Sequence, residues 1–213
     1  MAILLRIFFR LLYHQFAWAY DWVAWLVSLG KWKQWVLAMM PFLRGPSVLE
    51  LGPGPGHLLL AMAAHGLKAI GVDESRQMAF MARRRGVKVG LGVEVVIGYA
   101  QSLPFPYQAF HQVVATFPSE YIFNVQTIFE IHRVLKPGGE LIILPGVLFY
   151  GNRWIEKAIA WLFKATGQAP SFGDEVLAPF RQAGFLVKRK TIASGINRLF
   201  LITAAKPLNT IQV

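Results

Sequence analysis

Apolar and polar positions follow two different arrangements in this chain, and the change comes near Gly45-Pro46. Upstream, apolar residues recur at helical spacing. Downstream, short apolar runs closed by Gly, Pro, Asp or Ser alternate with stretches of helical period. The runs predict strands at Ser47–Leu51, Ala69–Val72, Val93–Ile97, Gln112–Thr116 and Glu140–Leu144. The stretches between them predict helices at His57–His65, from an N-cap at Ser75 to Arg85, at Asn124–Leu135 and at Glu175–Ala183. Lys136-Pro137-Gly138-Gly139 stops the third helix, because Pro cannot continue it and Gly permits a left-handed exit. Phe185–Ile192 and Arg198–Ala204 read as a closing antiparallel pair with a turn near Ser194-Gly195. Strand and helix alternate, which predicts an α/β fold: a doubly wound, mostly parallel sheet with helices on both faces and an antiparallel terminal strand. The expected organisation is an N-terminal helical region, 1–44, and one domain, 45–213, with a helical insertion at about 151–170.

Composition changes the picture of the surface. Hydrophobic residues make up 55% of the 213, charged residues only 15%, and the net charge is +11. A typical domain is about 25% charged, so part of the apolar surface is expected to face something other than water. A basic protein seeks anions: a lipid headgroup, a nucleic acid or an acidic substrate. Arg6, Arg10 and His14 form one helical stripe in an otherwise apolar stretch, and Trp18, Trp22, Trp25, Lys31, Trp32, Lys33 and Trp35 follow. A wide apolar face with a narrow basic stripe suits a helix lying in a membrane interface, where Trp and Lys are favoured. The alternative is a helix packed over the sheet as a lid, or against a partner subunit. Arg153–Lys164 in the insertion has the same character. A membrane-spanning segment is not expected. The best candidate, Leu11–Gly30, is interrupted by His14, Gln15 and Asp21, and Asp at a helix centre costs about 2.5–3.5 kcal/mol on insertion. The chain has no cysteine, which excludes thiolate catalysis, cysteine-bound zinc and iron–sulfur clusters. No metal is expected.

The candidate chemistry lies between the first strand and the first helix. Gly52, Gly54 and Gly56 let the chain turn sharply there and let a ligand come close. Glu50 ends the strand, and Asp73 ends the next one, where a carboxylate can bind ribose hydroxyls. Pro53 and Pro55 occupy the loop itself. Proline has no N–H, and a dinucleotide pyrophosphate needs a nest of N–H donors. The prolines therefore disfavour a dinucleotide. S-adenosylmethionine carries no phosphate; it needs acceptors for its ammonium, a carboxylate for its ribose and an apolar slot for its adenine.

The stretch from Val48 to Leu58 resembles motif I of the class I, Rossmann-like S-adenosylmethionine-dependent methyltransferases. Ile70 to Ser75 resembles motif II, Gly98 to Pro106 the segment after the third strand, and Arg133 to Gly139 the turn before the fifth. The resemblance runs from about Tyr20 to Lys206 and implies the Rossmann-like fold. It implies that Glu50, Gly52, Pro53, Gly54 and Gly56 surround the methionine moiety of S-adenosyl-L-methionine. Asp73 would bind the ribose, with Glu74 and Met78 beside ribose or adenine. Ala100 and Gln101 would approach the adenine edge, and Thr116, Phe117 and Tyr20 would line the pocket. Two positions depart from the family: Tyr99 stands where Asp is frequent, and Phe110-His111 where Phe-Asp is frequent.

Methyl transfer from a sulfonium is an in-line displacement that depends mainly on orientation, worth about 7–11 kcal/mol. A general base is needed only if the nucleophile carries a tightly held proton, so no fixed catalytic set is expected. His14, Tyr20, His57, Tyr107, His111, Glu120 and Tyr121 are the candidates. Thr116-Phe117-Pro118-Ser119 lacks the Asn/Asp-Pro-Pro-aromatic motif of the nucleic-acid and glutamine amino methyltransferases. The residues around Tyr20, Ser28, Gly30, Trp32 and Trp35 resemble the region before motif I in the ubiquinone and menaquinone C-methyltransferases, and phospholipid N-methyltransferases are comparable. Both imply a small lipophilic acceptor taken at an anionic membrane surface by a cytoplasmic, peripheral protein. An RNA methyltransferase, using Arg83-Arg84-Arg85 or Lys188-Arg189-Lys190, is one alternative reading; a non-catalytic S-adenosylmethionine-binding protein is the other. Solvated helix and strand ends are the plainer reading of those two basic groups.

Overall fold

The computed structural model describes residues 25, 28–148, 174–195 and 197–208. Tyr20, the Arg6–Arg10–His14 stripe, Trp18, Trp22 and the insertion Arg153–Lys164 lie outside the described residues. A short helix α1 (Trp32–Leu37) and a 3₁₀ turn (Met40–Phe42) lead into β1 (Ser47–Leu51), α2 (His57–Ala64), β2 (Lys68–Asp73), α3 (Arg76–Lys88) and β3 (Glu94–Ile97). Then come β4 (Phe110–Thr116), a 3₁₀ turn (Glu120–Phe123), α4 (Val125–Val134), β5 (Leu135–Leu148), α5 (Asp174–Gln182), β6 (Leu186–Ser194) and β7 (Asn197–Ala205). The seven strands form one sheet in the order β3-β2-β1-β4-β5-β7-β6. The first five are parallel, and β7 pairs antiparallel with both β5 and β6. This is the predicted mixed α/β sheet: the antiparallel member is the terminal strand β7, which makes both antiparallel junctions.

Central parallel strands are buried on both faces, so successive residues feed two cores. Leu49, Val113 and Ile143 pack with α4 and α5, through Ile128, Ile131 and Phe180. Their neighbours Val48, Val114 and Ile142 pack with α1, α2 and α3, through Trp35, Leu59 and Ala82. The cleft described below opens at the carboxyl ends of β1, β2 and β4, the place where an open α/β sheet receives ligands.

Two helix boundaries differ from the sequence reading for local reasons, and a third helix holds a proline. Leu135 leaves α4 to pair with Phe110 on β4, so β5 begins there and bulges through Gly138, whose φ is 75°, before its main register resumes at Glu140. Helix α3 continues past Arg85 to Lys88 because its closing bond, from the Leu91 N–H to the Gly86 carbonyl at 2.9 Å, lies beyond it. Pro179 sits inside α5. Its missing N–H falls in the second turn of a helix too short to lose more than one bond.

Polar side chains tie the segment before Gly45 to the sheet. Gln112 accepts from the Arg44 and Gly45 N–H groups at 2.7 and 2.8 Å and donates to the Phe42 carbonyl at 2.9 Å. His111, one of the two departures from the family, sits at the opposite end of β4 from the cleft. Its Nδ1 lies 2.8 Å from the Ser47 hydroxyl and its Nε2 3.3 Å from Lys136 Nζ. Burial, and then the Lys136 charge, hold its pKa below the ordinary value. It braces the base of the sheet.

Candidate functional site

β1 delivers Glu50 and the glycine loop to one point. Gly54 has φ 53° and open space where a Cβ would stand, so the backbone itself faces the cleft there. Its N–H donates to Asp73 Oδ2 at 3.0 Å. The Ser75 N–H donates to Oδ1 at 2.9 Å, and the Ser75 hydroxyl caps α3 by accepting from the Met78 N–H at 3.3 Å. Loop, strand end and helix start therefore hold Asp73 by both oxygens. Gly56 serves the packing instead. A Cβ there would stand 2.7 Å from the Ala82 Cβ, so glycine permits the contact of α2 with α3.

Glu50 is buried, at 1% exposure, and its Oε2 has no hydrogen-bond partner. Burial, and secondarily the Asp73 charge, push its pKa up to about 8, with the Leu59 backbone hydrogen bond opposing. A buried carboxylate with an orphaned oxygen is costly unless a cation or donor meets it.

Glu50, Gly52, Pro53, Gly54, Asp73, Glu74, Ala100, Gln101, Thr116 and Phe117 border one cleft. Met78 and Gly56 do not. Met78 is wholly buried; with Ser75 as N-cap it falls in the first turn of α3, alongside Ala79 and Ala82. Gly56 acts through packing, as above. The cleft also gathers residues that the sequence did not single out as cofactor contacts: Trp32, Val36, Tyr99 and Tyr121. The Trp32 ring stacks on Phe117 with centroids 4.2 Å apart, and Trp35 lies 6.4 Å from the same ring. Phe117 is held in the left-handed region, φ 49°, with its N–H bonded to the Leu144 carbonyl at 2.7 Å. A non-glycine residue kept there is strained and needs surrounding support. The Tyr121 hydroxyl donates to the Leu51 carbonyl at 3.2 Å.

Two sets of braces fix the rim. Arg85 reaches back to the Pro55 carbonyl at 3.4 Å and lies 3.2 Å from His57 Nε2, while Arg83 bonds the Val95 carbonyl. Two members of the arginine triplet thus brace the fold. In the loop after β3, Arg133 donates to the Leu103 and Phe105 carbonyls at 2.9 and 2.8 Å, and Glu130 accepts from the Leu103 N–H at 2.7 Å. The two side chains also bond each other at 2.7 Å. That bond holds the Glu130 carboxyl below its usual range.

The donor set fits S-adenosylmethionine: an orphaned buried carboxylate for an ammonium, a preorganised carboxylate for vicinal hydroxyls, exposed loop backbone without a phosphate nest, and an apolar slot by Val72 and Ala100.

Comparison with known proteins agrees with this geometry. Residues 48–139 match the family model described as a methyltransferase domain. The chain is 34% identical over 196 residues to a demethylmenaquinone methyltransferase of Thermobifida fusca, covering 84% of this chain and 82% of that one. It is 33% identical over 156 residues to the uncharacterized methyltransferase YdaC of Bacillus subtilis, covering 71% and 78%. A solved S-adenosylmethionine-dependent methyltransferase from Methanosarcina mazei superposes with TM-score 0.59 at 22% identity, over 81% of this chain and 98% of that one.

Proposed function

The chain belongs to the class I S-adenosylmethionine-dependent methyltransferases, and from that premise we propose that it methylates a lipophilic ring, of the quinone-precursor type, met at a membrane surface. The observation that carries the reading is what borders the cleft. No Lys or Arg is among its described lining residues, although the net charge is +11. The wall beyond the glycine loop is Trp32, Val36, Phe117, Pro118 and Tyr121. A phosphate-bearing acceptor such as RNA calls for cations at the point of entry; an apolar ring calls for aromatic faces. The demethylmenaquinone specificity named for the Thermobifida relative points the same way.

When bound, S-adenosylmethionine supplies an electrophilic methyl on a sulfonium. Glu50 would hold its ammonium and Asp73 its ribose hydroxyls. Trp32 and Phe117 exclude water from the far end and hold the acceptor ring face-on, the orientation term of methyl transfer. The sequence of the region 1–44 is rich in Trp and basic residues, a composition suited to a membrane surface, and its Trp32 and Val36 border the cleft.

The test is methyl transfer from labelled S-adenosylmethionine to a demethylated quinol in anionic vesicles, with bulk RNA in parallel. Label in the quinol supports the reading. Label in RNA with none in the quinol overturns it.

A further inference from the structure

We infer that the exposed face of α3 is a docking surface for anionic lipid headgroups, and that it sets how the enzyme lies on a membrane. The inference rests on the membrane reading above and adds which face makes the contact. Arg76, Phe80, Arg83 and Val87 recur at i, i+4, i+7 and i+11, a single stripe along one helix. All four side chains are exposed, as are Arg84 and Lys88 beside them. Phe80 is 62% and Val87 79% exposed, and Val89 just past the helix is 62% exposed. Large apolar side chains set among cations on one helix face are the pattern of an interfacial contact.

The charge is asymmetric between the two faces of the sheet. Helices α1, α2 and α3 cover one face, and none of them contains an Asp or Glu. The opposite face carries α4 and α5, where Arg133 pairs with Glu130, and Arg181 pairs with Asp174. Asp174 also pairs with Arg189 of β6. Cations near an anionic surface are attracted over about a Debye length, some 8–10 Å. Exposed aliphatic and aromatic groups among them can enter the acyl boundary. The aliphatic Val87 and Val89 favour lipid over nucleic acid, because stacking on bases requires aromatic rings. Helix α3 begins three residues after Asp73, and Glu74 and Ser75 at its start border the cleft. Docking along this helix therefore brings the cleft rim to the lipid surface.

The experiment is co-flotation of the full chain with phosphatidylcholine vesicles containing phosphatidylglycerol. Arg84→Glu/Lys88→Glu is compared with Arg181→Glu/Arg189→Glu, which lowers net charge equally on the opposite face. Phe80→Ser/Val87→Ser tests the apolar contribution. The α3 charge variant should lose at least tenfold in partitioning, the apolar variant about tenfold, and the opposite-face variant less than threefold. All three should keep wild-type affinity for S-adenosylmethionine, which shows them folded. Equal losses from the two charge variants, or none from either α3 variant while wild type floats, overturn the α3 face and leave the membrane reading standing. Wild type that does not float overturns both. Wild type that binds RNA through Arg84 and Lys88 but not vesicles overturns the choice of lipid.

Discussion

Replacing Glu50 with Gln separates what this carboxylate does for the fold from what it does for the ligand. Its pKa is raised from 4.5 to about 8 by burial and the Asp73 charge. A carboxyl with a raised folded-state pKa stabilises fully below its unfolded value, and that stability is lost as pH rises through the folded one. The window here is pH 4.5 to 8. At pH 7 the linkage amounts to about 3 kcal/mol against the ligand-free fold, and at pH 5 to about 1 kcal/mol. Gln keeps the shape, can still accept the Leu59 N–H, and never ionises. In a chain of this size 1 kcal/mol moves Tm by about 2–4 °C. Ligand-free Glu50→Gln should therefore melt about 6–12 °C above wild type at pH 7, and only about 2–4 °C above it at pH 5. The same change removes the charged partner of an ammonium, a hydrogen bond worth about 1.5–3 kcal/mol. Affinity for S-adenosylmethionine should fall about ten- to a hundredfold. Thermal melts across this pH range, with calorimetric titration, read both quantities. A variant that melts below wild type at pH 7, or that binds as tightly, refutes the reasoning.

Other positions give smaller, separable effects. Gly56→Ala should lower the chemical-denaturation midpoint by the equivalent of about 2–3 kcal/mol, since a Cβ would meet Ala82 at 2.7 Å and φ is 83°. Glu130→Gln and Arg133→Met should each raise the Kd for S-adenosylmethionine about three- to tenfold by loosening the loop at Leu103 and Phe105. A double-mutant cycle should show a coupling of about 1–2 kcal/mol. Trp32→Ala should raise the KM for a lipophilic acceptor more than that for S-adenosylmethionine, because the proposed function puts Trp32 and its stacking partner Phe117 against the acceptor; equal effects on both would argue against that placement.

Local patterns in the chain were enough to locate most of this site. Glycines at 52, 54 and 56, with acids at 50 and 73, encode a loop between parallel strands, and the structure closes it with the bond from Gly54 to Asp73. Helix rotation is less legible: Met78 is close to Asp73 in sequence, yet in the first turn of α3 it is wholly buried and does not border the cleft. Long-range contacts were not legible at all. Trp32 meets Phe117 across 85 positions, and nothing in either local sequence specifies the other. Arg83 and Arg85 looked like solvated helix-end cations because their partners, the Val95 and Pro55 carbonyls, are backbone atoms that sequence does not mark. The early start of β5 was hidden for a similar reason. Leu135 suits a helix end, and only its pairing with Phe110 makes it a strand.

Calorimetric titration of the purified chain with S-adenosylmethionine tests the central assignment most directly. Burial and the Asp73 charge raise the Glu50 pKa to about 8 without ligand, so at pH 7 the carboxyl is mostly protonated and must ionise to face an ammonium. Binding should therefore be single-site and release a proton, read from its dependence on buffer ionisation enthalpy. Absence of binding at millimolar ligand, or binding without proton release, would contradict the account.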